Sequence, residues 1–128
     1  MGASFLGSGM TSLTPAQITF NLLQGSVKFR FSPDAAQDLK AALMDLVSRL
    51  KAIAARTSQG ASRTPEASLE YQHTGDVFLE VFCNPNIWPS PFAAKLLITL
   101  RDDRIRLTTE AELTQILDDV NQYLDAVA

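Results

Sequence analysis

A long apolar stripe with helical spacing limits the possible folds more than any other feature. Between residues 39 and 54, apolar side chains recur at three- and four-residue steps, which is typical of one buried helix face. Ser32 is suited to cap this helix and Pro33 to occupy its first turn. A second stripe runs from residue 113 to residue 127, after a capping box at residues 109–112. Two amphipathic helices of this kind must cover another layer of structure.

The segment before the first helix has the pattern of a β-hairpin. Residues 18–22 and 27–31 alternate apolar and polar side chains around the turn-forming pair Gln24 and Gly25. The alternative interpretation is a short helix that begins at Thr14, followed by a single strand. The alternation favours the hairpin.

Two further hairpins follow the first helix. Residues 69–73 and 77–83 alternate around a turn at 74–76, a register that places Tyr71 opposite Leu79. The strand of residues 77–83 is apolar on both faces, so it either lies centrally and is covered twice, or presents aromatic side chains to a partner. The third pair comprises residues 95–100 and 105–107, joined by a tight turn.

These elements predict an α+β fold with an antiparallel sheet of about six strands. The long helix follows the first hairpin, and it packs together with the C-terminal helix on one face of the sheet. Residues 1–13 are predicted to be a flexible tail, residues 14–128 a single domain, and residues 57–65 a flexible loop within it. The other face of the sheet is left to water, to a partner or to a second copy of the chain.

The composition excludes several classes of function. One cysteine forms neither an intramolecular disulfide nor a multi-thiolate zinc site, and one histidine does not supply a two-histidine metal centre. The chain has no glycine-rich phosphate loop and no nucleophile elbow. The predicted hairpin separates His73 from Cys83, and the pair Asp102 and Asp103 is typical of a turn. We therefore expect no catalytic residues, no metal, no cofactor and no enzymatic activity.

The termini and the hydropathy pattern favour a cytoplasmic protein. The first ten residues lack the positive charge and the apolar core of a secretory signal. No apolar run approaches the roughly 20 residues that span a bilayer, so we expect no membrane insertion.

The strongest candidate for a binding site is the loop of residues 84–92. It contains three of the six prolines and the single tryptophan, and it exposes Ile87, Trp88 and Phe92 as candidate contacts. Prolines reduce the entropy lost on docking, and a large aromatic side chain can anchor an interface. Phe78 and Phe82 on the preceding strand are candidates for the same surface. The alternative interpretation is that Trp88 folds back and covers the core.

A set of cations on the predicted strands suggests a second kind of partner. Basic residues beside exposed aromatics are what single-stranded nucleic acid requires, because cations contact phosphates and rings stack on bases. The formal net charge of −3 disfavours a surface that is basic throughout. These cations can also be solvated, or can pair with the acidic last helix within one chain or across a homodimer. The set comprises Lys28, Arg30, Lys95, Arg104 and Arg106.

About a third of the chain resembles small uncharacterised proteins of cyanobacteria. The likeness lies in the loop of residues 84–92, in residues 101–110 and in residues 121–124. No activity is known for such proteins, so the resemblance implies only a setting, a photosynthetic cell in which small domains serve as assembly or regulatory partners. The sequence thus predicts a non-enzymatic module that binds another protein through the Trp88 loop and the adjoining sheet face, with nucleic-acid binding as the alternative.

Overall fold

The computed structural model describes residues 16–60 and 65–128, which form six strands, two α-helices and one turn of 3-10 helix. Residues 1–13, predicted as a tail, and residues 61–64 of the predicted loop lie outside this part of the chain. The elements in chain order are β1 (Gln17–Asn21), β2 (Ser26–Arg30), α1 (Pro33–Ser58), β3 (Leu69–Thr74), β4 (Phe78–Cys83), the 3-10 turn (Pro85–Ile87), β5 (Lys95–Arg101), β6 (Arg106–Glu112) and α2 (Leu113–Val127).

The strands form two sheets. β1 and β2 make an antiparallel hairpin of their own, and β3 to β6 make a four-stranded antiparallel meander in chain order. The predicted α+β class, the two helices and the six strands are confirmed, but the single six-stranded sheet is wrong. An alternating pattern and a turn define which two strands pair, but not which sheet the pair joins. The hairpin packs on α2. It contacts the meander through a backbone hydrogen bond from Leu23 N to Glu110 O at 3.4 Å and through an ion pair of Arg30 with Asp76.

One face of the four-stranded sheet forms the core together with both helices. Leu79, Val81, Leu96 and Ile98 point to this inner face and are fully buried. They belong to one apolar cluster with the stripes of α1 and α2 and with the inward side chains of the β1–β2 hairpin. The apolar stripes of both helices thus pack on another layer of structure, as the sequence predicted.

The start of α1 is as predicted. Ser32 caps the helix by accepting a hydrogen bond from Ala35 N at 3.1 Å, and Pro33 occupies the first turn. Asp45 and Arg49, one turn apart, form an ion pair at 2.8 Å. The helix continues to Ser58, into the segment that was predicted as a loop.

The predicted capping box at residues 109–112 is wrong. β6 extends through Glu112, and α2 begins only at Leu113 without a side-chain cap. Thr109 and Ala111 pair with β5, and Ala111 is completely buried opposite Leu96. Sheet pairing supplies these residues with more hydrogen bonds and apolar contact than one helical turn offers, so tertiary context decides against the local signal.

The register of the β3–β4 hairpin differs from the prediction by two residues. Tyr71 lies opposite Val81, and Leu69 lies opposite Cys83, because the turn occupies residues 75–77 instead of 74–76. Because the turn moves by one residue, each residue of β3 pairs two positions further along β4. Side chains alternate between the faces, so each one still points to the predicted face. Among the helices of the described chain, none combines the length and hydrophobicity that a bilayer span requires.

Candidate functional site

No helix of residues 16–60 and 65–128 packs on the outer face of the four-stranded sheet, although Thr99 at its centre is only 7% exposed. Alternation along the strands turns Phe78, Glu80 and Phe82 of β4 to this side. Phe82 pairs with Leu97 of β5, and these two apolar side chains remain 39% and 44% exposed. An apolar pair at the centre of an uncovered sheet is the starting point of the site.

The loop after β4 extends this apolar surface. Ile87 and Trp88 lie beside Phe82 and Leu97, and together they line a shallow pocket of about 200 Å³. We call these four residues the Trp88 patch. Lys95 and Glu110 lie at its rim, and Lys95 Nζ is 5.9 Å from the centroid of the Trp88 ring. The pocket therefore has an apolar floor with one charge of each sign at its edge.

Side-chain amides hold the loop in place. Asn86 donates from Nδ2 to Glu66 O and accepts from Glu66 N through Oδ1, both at 2.8 Å, as a neighbouring strand would. Asn84 Oδ1 accepts from Asn86 N at 3.0 Å, and Pro85 is buried. Because these contacts fix the backbone before Ile87 and Trp88, both side chains are presented from a rigid base.

Trp88 also contacts the core, so both interpretations of this residue apply in part. It is half-buried and packs against the apolar cluster. Burial raises the pKa of the Cys83 thiol to about 11, while a hydrogen bond from the Trp88 side chain and the charge of Arg49 act in the opposite direction. Cys83 is therefore a protonated thiol at neutral pH and a poor nucleophile.

The other two predicted contact residues lie outside the patch. Phe78 faces the same side as Phe82 but is four residues away, about 13 Å along the strand. The guanidinium of Arg101 lies over the Phe78 ring at 4.3 Å. Phe92 is 83% exposed in the next turn of the loop and does not line the pocket. The structure thus brings together Phe82, Ile87 and Trp88 out of the five.

Sequence reasoning missed Leu97 as a member of the patch. The signal was present, because Leu96, Leu97 and Ile98 make the strand apolar on both faces, as in the strand of Phe82. Only the pairing of β4 with β5 shows that the two outward apolar residues meet.

The five predicted cations are spread over two sheets. Lys28 and Arg30 lie on the separate β1–β2 hairpin, and Arg30 pairs with Asp76 at 3.3 Å. Lys95 is half-buried beside Trp88, whereas Arg104 and Arg106 lie at the opposite end of the meander. The outer face also carries carboxylates, at Glu70, Glu80, Glu110 and Glu112, so no uniformly basic platform exists on it.

His73 and Asp102, which the sequence offers as candidate catalytic or metal-binding residues, have structural roles. His73 packs edge-on against Phe31, with ring centroids 5.3 Å apart, and pairs with Leu79 at the other end of the hairpin from Cys83. Asp102 Oδ1 accepts from Arg104 N and Ile105 N at 2.8 and 2.9 Å, as predicted for a turn. These backbone donors, Ile105 N first, lower the pKa of the Asp102 carboxyl. Within the described residues, no group of three metal-ligating side chains converges.

A buried polar network on α2 was also missed. Asp119 is 4% exposed and accepts from Asn21 N at 2.7 Å, from Asn21 Nδ2 at 2.8 Å and from Gln115 Nε2 at 3.0 Å. Its position three residues after Ile116, on the apolar stripe of α2, was the available signal. The network attaches β1 to α2 and is satisfied internally, so it is structural.

Comparison with protein-family models, with curated proteins and with solved structures gave no match. The resemblance to cyanobacterial proteins therefore stays a prediction, and the function has to be inferred from the geometry of the site.

Proposed function

We propose that this chain is a non-enzymatic protein-interaction module, a cytoplasmic accessory or assembly factor. It binds another protein through the Trp88 patch and the adjoining outer face of the sheet. One observation carries the proposal: a strand and an anchored loop converge their apolar side chains on a pocket that no element of the described chain covers.

The patch has the properties of an interface anchor. A pocket of about 200 Å³ accommodates one apolar side chain of a partner. The Asn86 contacts hold the loop before binding, which reduces the entropy lost when a complex forms. Lys95 and Glu110 at the rim orient a partner by charge, and they contribute less to affinity than the apolar residues of the patch. Exposed Phe92 and the more distant Phe78 extend the surface on either side.

The test compares Trp88→Ala and Ile87→Ala with wild type in affinity capture from cells that make the protein, followed by binding measurements with the purified partner. Truncation of a central aromatic anchor typically costs about 2 kcal/mol or more, so we expect a roughly 30-fold loss of affinity. Met44→Ala is the matched control, because Met44 is 49% exposed on α1 and lies outside the patch.

Samples with and without nuclease separate the two kinds of partner. The proposal requires partners that survive nuclease, that are lost with Trp88→Ala and that are retained with Met44→Ala. If Trp88→Ala retains every partner at wild-type strength, the site is wrong.

A second candidate function is the binding of single-stranded nucleic acid. The observation that favours it is the stack of Arg101 on Phe78, directly across from Arg106 on β6 and next to Arg104. Lys28 and Arg30 on the β1–β2 hairpin are further candidate phosphate contacts. Affinity for mixed oligonucleotides must then fall steeply as salt rises, and Arg106→Ala must reduce that salt dependence. Binding that ignores salt, or no binding, excludes this function.

A further inference from the structure

The outer face of the four-stranded sheet carries opposite charges at its two ends. One row across the strands consists of Glu70, Phe82, Leu97 and Glu110, and the next row out pairs Lys95 with Glu112. We call this the acidic end. The basic end is the row four residues away along the strands, about 13 Å, which consists of Thr74, Phe78, Arg101 and Arg106.

Only part of the charge at the two ends is neutralised within residues 16–60 and 65–128, since Lys95 is the cross-strand neighbour of Glu112 and lines the same pocket as Glu110. Arg101 and Arg106 are direct cross-strand neighbours, an arrangement that is destabilising for like charges. In the described residues, the ion pairs are Arg30 with Asp76, Arg49 with Asp45 and Arg56 with Glu66, none of which lies on this face. The nearby carboxylate of Asp102 is held by amides of its own turn. Three glutamates against one lysine at the acidic end, and two arginines at the basic end, leave each end with a net charge that a partner of opposite charge complements.

We propose that the partner on this face is a second copy of the chain, turned end for end about a two-fold axis that is parallel to the sheet and perpendicular to its strands. The axis passes over the row that contains Glu80 and Thr99. Each acidic end then covers the basic end of the other copy, since both ends lie at equal distance from the axis. This inference rests on the proposed function, because both require the outer face to bind protein.

The two-fold arrangement pairs specific residues. Glu110 lies opposite Arg106 of the second copy, and this ion pair occurs twice by symmetry. Phe82 lies opposite Phe78 of the second copy, and Leu97 lies opposite Arg101, whose guanidinium stacks on that ring. Two sheets packed in this way lie about 10 Å apart with their strands within about 30° of parallel or antiparallel. The loops that carry Trp88 lie at opposite ends of the dimer.

The dimer is expected to be weak. Four strands of about six residues offer a footprint of only about 20 by 20 Å, at the small end of specific interfaces. Glu80 also meets its own counterpart near the axis, where Gln72 Nε2 donates to it at 3.0 Å within each chain. We therefore expect a dissociation constant in the micromolar range.

The experiment is sedimentation velocity of the full chain from about 1 to about 500 µM at low ionic strength. Glu110→Arg and Arg106→Glu are each expected to weaken the dimer by about tenfold or more, because each places like charges opposite each other twice. Two samples are expected to restore dimerisation: the double variant Glu110→Arg/Arg106→Glu, and an equimolar mixture of the two single variants. Lys51→Glu, which exchanges an exposed cation on α1 outside the sheet, is the matched control for Arg106→Glu.

Circular dichroism and thermal unfolding verify that each variant is folded, which we expect because Glu110 and Arg106 are exposed. A wild type that stays monomeric up to 500 µM overturns the inference. So does a dimer that is indifferent to the single exchanges, or one that neither the double variant nor the mixture restores.

The two proposals can fail separately. If the wild type is monomeric but loses a captured protein upon Trp88→Ala, the second copy is the wrong partner and the proposed function remains. If the charge exchanges behave as expected but capture returns only this chain, the dimer is correct and the accessory role is not.

Discussion

The two faces of the four-stranded sheet are built from adjacent residues of the same strands but have opposite environments. On β5, Leu96 is completely buried, whereas the next residue, Leu97, is 44% exposed. On β4, Val81 and Phe82 differ in the same way. The inner face is filled by α1, α2 and the β1–β2 hairpin, and no helix of the described chain packs on the outer face.

This contrast shows that apolar character on both faces of a strand has two different causes here. The inner residues stabilise the fold by leaving water, at roughly 25 cal/mol per Å² of apolar surface. The outer residues gain less from folding, because about two fifths of their surface stays in water. The apolar side chains that folding leaves partly exposed are the observation on which the proposed association rests.

The largest expected effect tests the difference between the inner and outer faces within one strand, β5. Leu96→Ala removes a fully buried side chain and is expected to lower the free energy of unfolding by about 2–5 kcal/mol. Leu97→Ala, one residue away, is expected to change it by only about 0.5 kcal/mol. Urea unfolding followed by fluorescence measures both. Equal losses would mean that the outer face is covered in solution even in the monomer.

A smaller effect is expected for the polar contact that fixes the hairpin beside α2. Asp119→Ala leaves Asn21 N and the Asn21 and Gln115 amides without their acceptor, so we expect a loss of about 1–3 kcal/mol. Hydrogen exchange at Asn21 reports the same change locally. Asp118→Ala is the control, because Asp118 is exposed on the same helix. An Asp119→Ala protein as stable as this control would show that the network does not hold β1.

The smallest effect concerns the turn at the basic end. The pKa of the Asp102 carboxyl is lowered in the folded state, so its contribution to stability is present above the ordinary pKa of aspartate. It is lost as the pH falls through the lowered value. The difference in unfolding midpoint between wild type and Asp102→Ala is therefore expected at pH 7 and should disappear at strongly acidic pH. Asp102→Asn retains an acceptor and should lie between them without this pH dependence.

Much of the fold could be predicted because its signals are local. The cap at Ser32, the helical stripe of α1 and the alternation of each hairpin involve residues that are close in the chain. The extent of β6 could not be predicted. Its last residues carry a helix-start signal, and only the presence of β5 beside them makes the extended conformation more favourable.

The sequence predicted several members of the candidate site but not which of them lie together. Trp88 and Ile87 stood out because a proline-rich loop presents them, and Phe82 because its strand is apolar on both faces. Leu97 joins them only through the pairing of β4 with β5, and Phe78 is separated from them by the length of the strand. The amide contacts of Asn86 with Glu66, twenty residues apart, carry no signal in the sequence.

The sequence by itself determined the class of fold, the six strands paired as hairpins, and the exclusion of an intramolecular disulfide and of multi-cysteine or multi-histidine metal sites. These follow from periodicity and composition, which depend on near neighbours and on counts. The tertiary structure alone decided that the first hairpin leaves the main sheet, that Asp119 is buried, and that acidic and basic ends face the same side. Those properties depend on which distant segments meet, and this is set by the burial of the whole apolar cluster at once and not by any one segment.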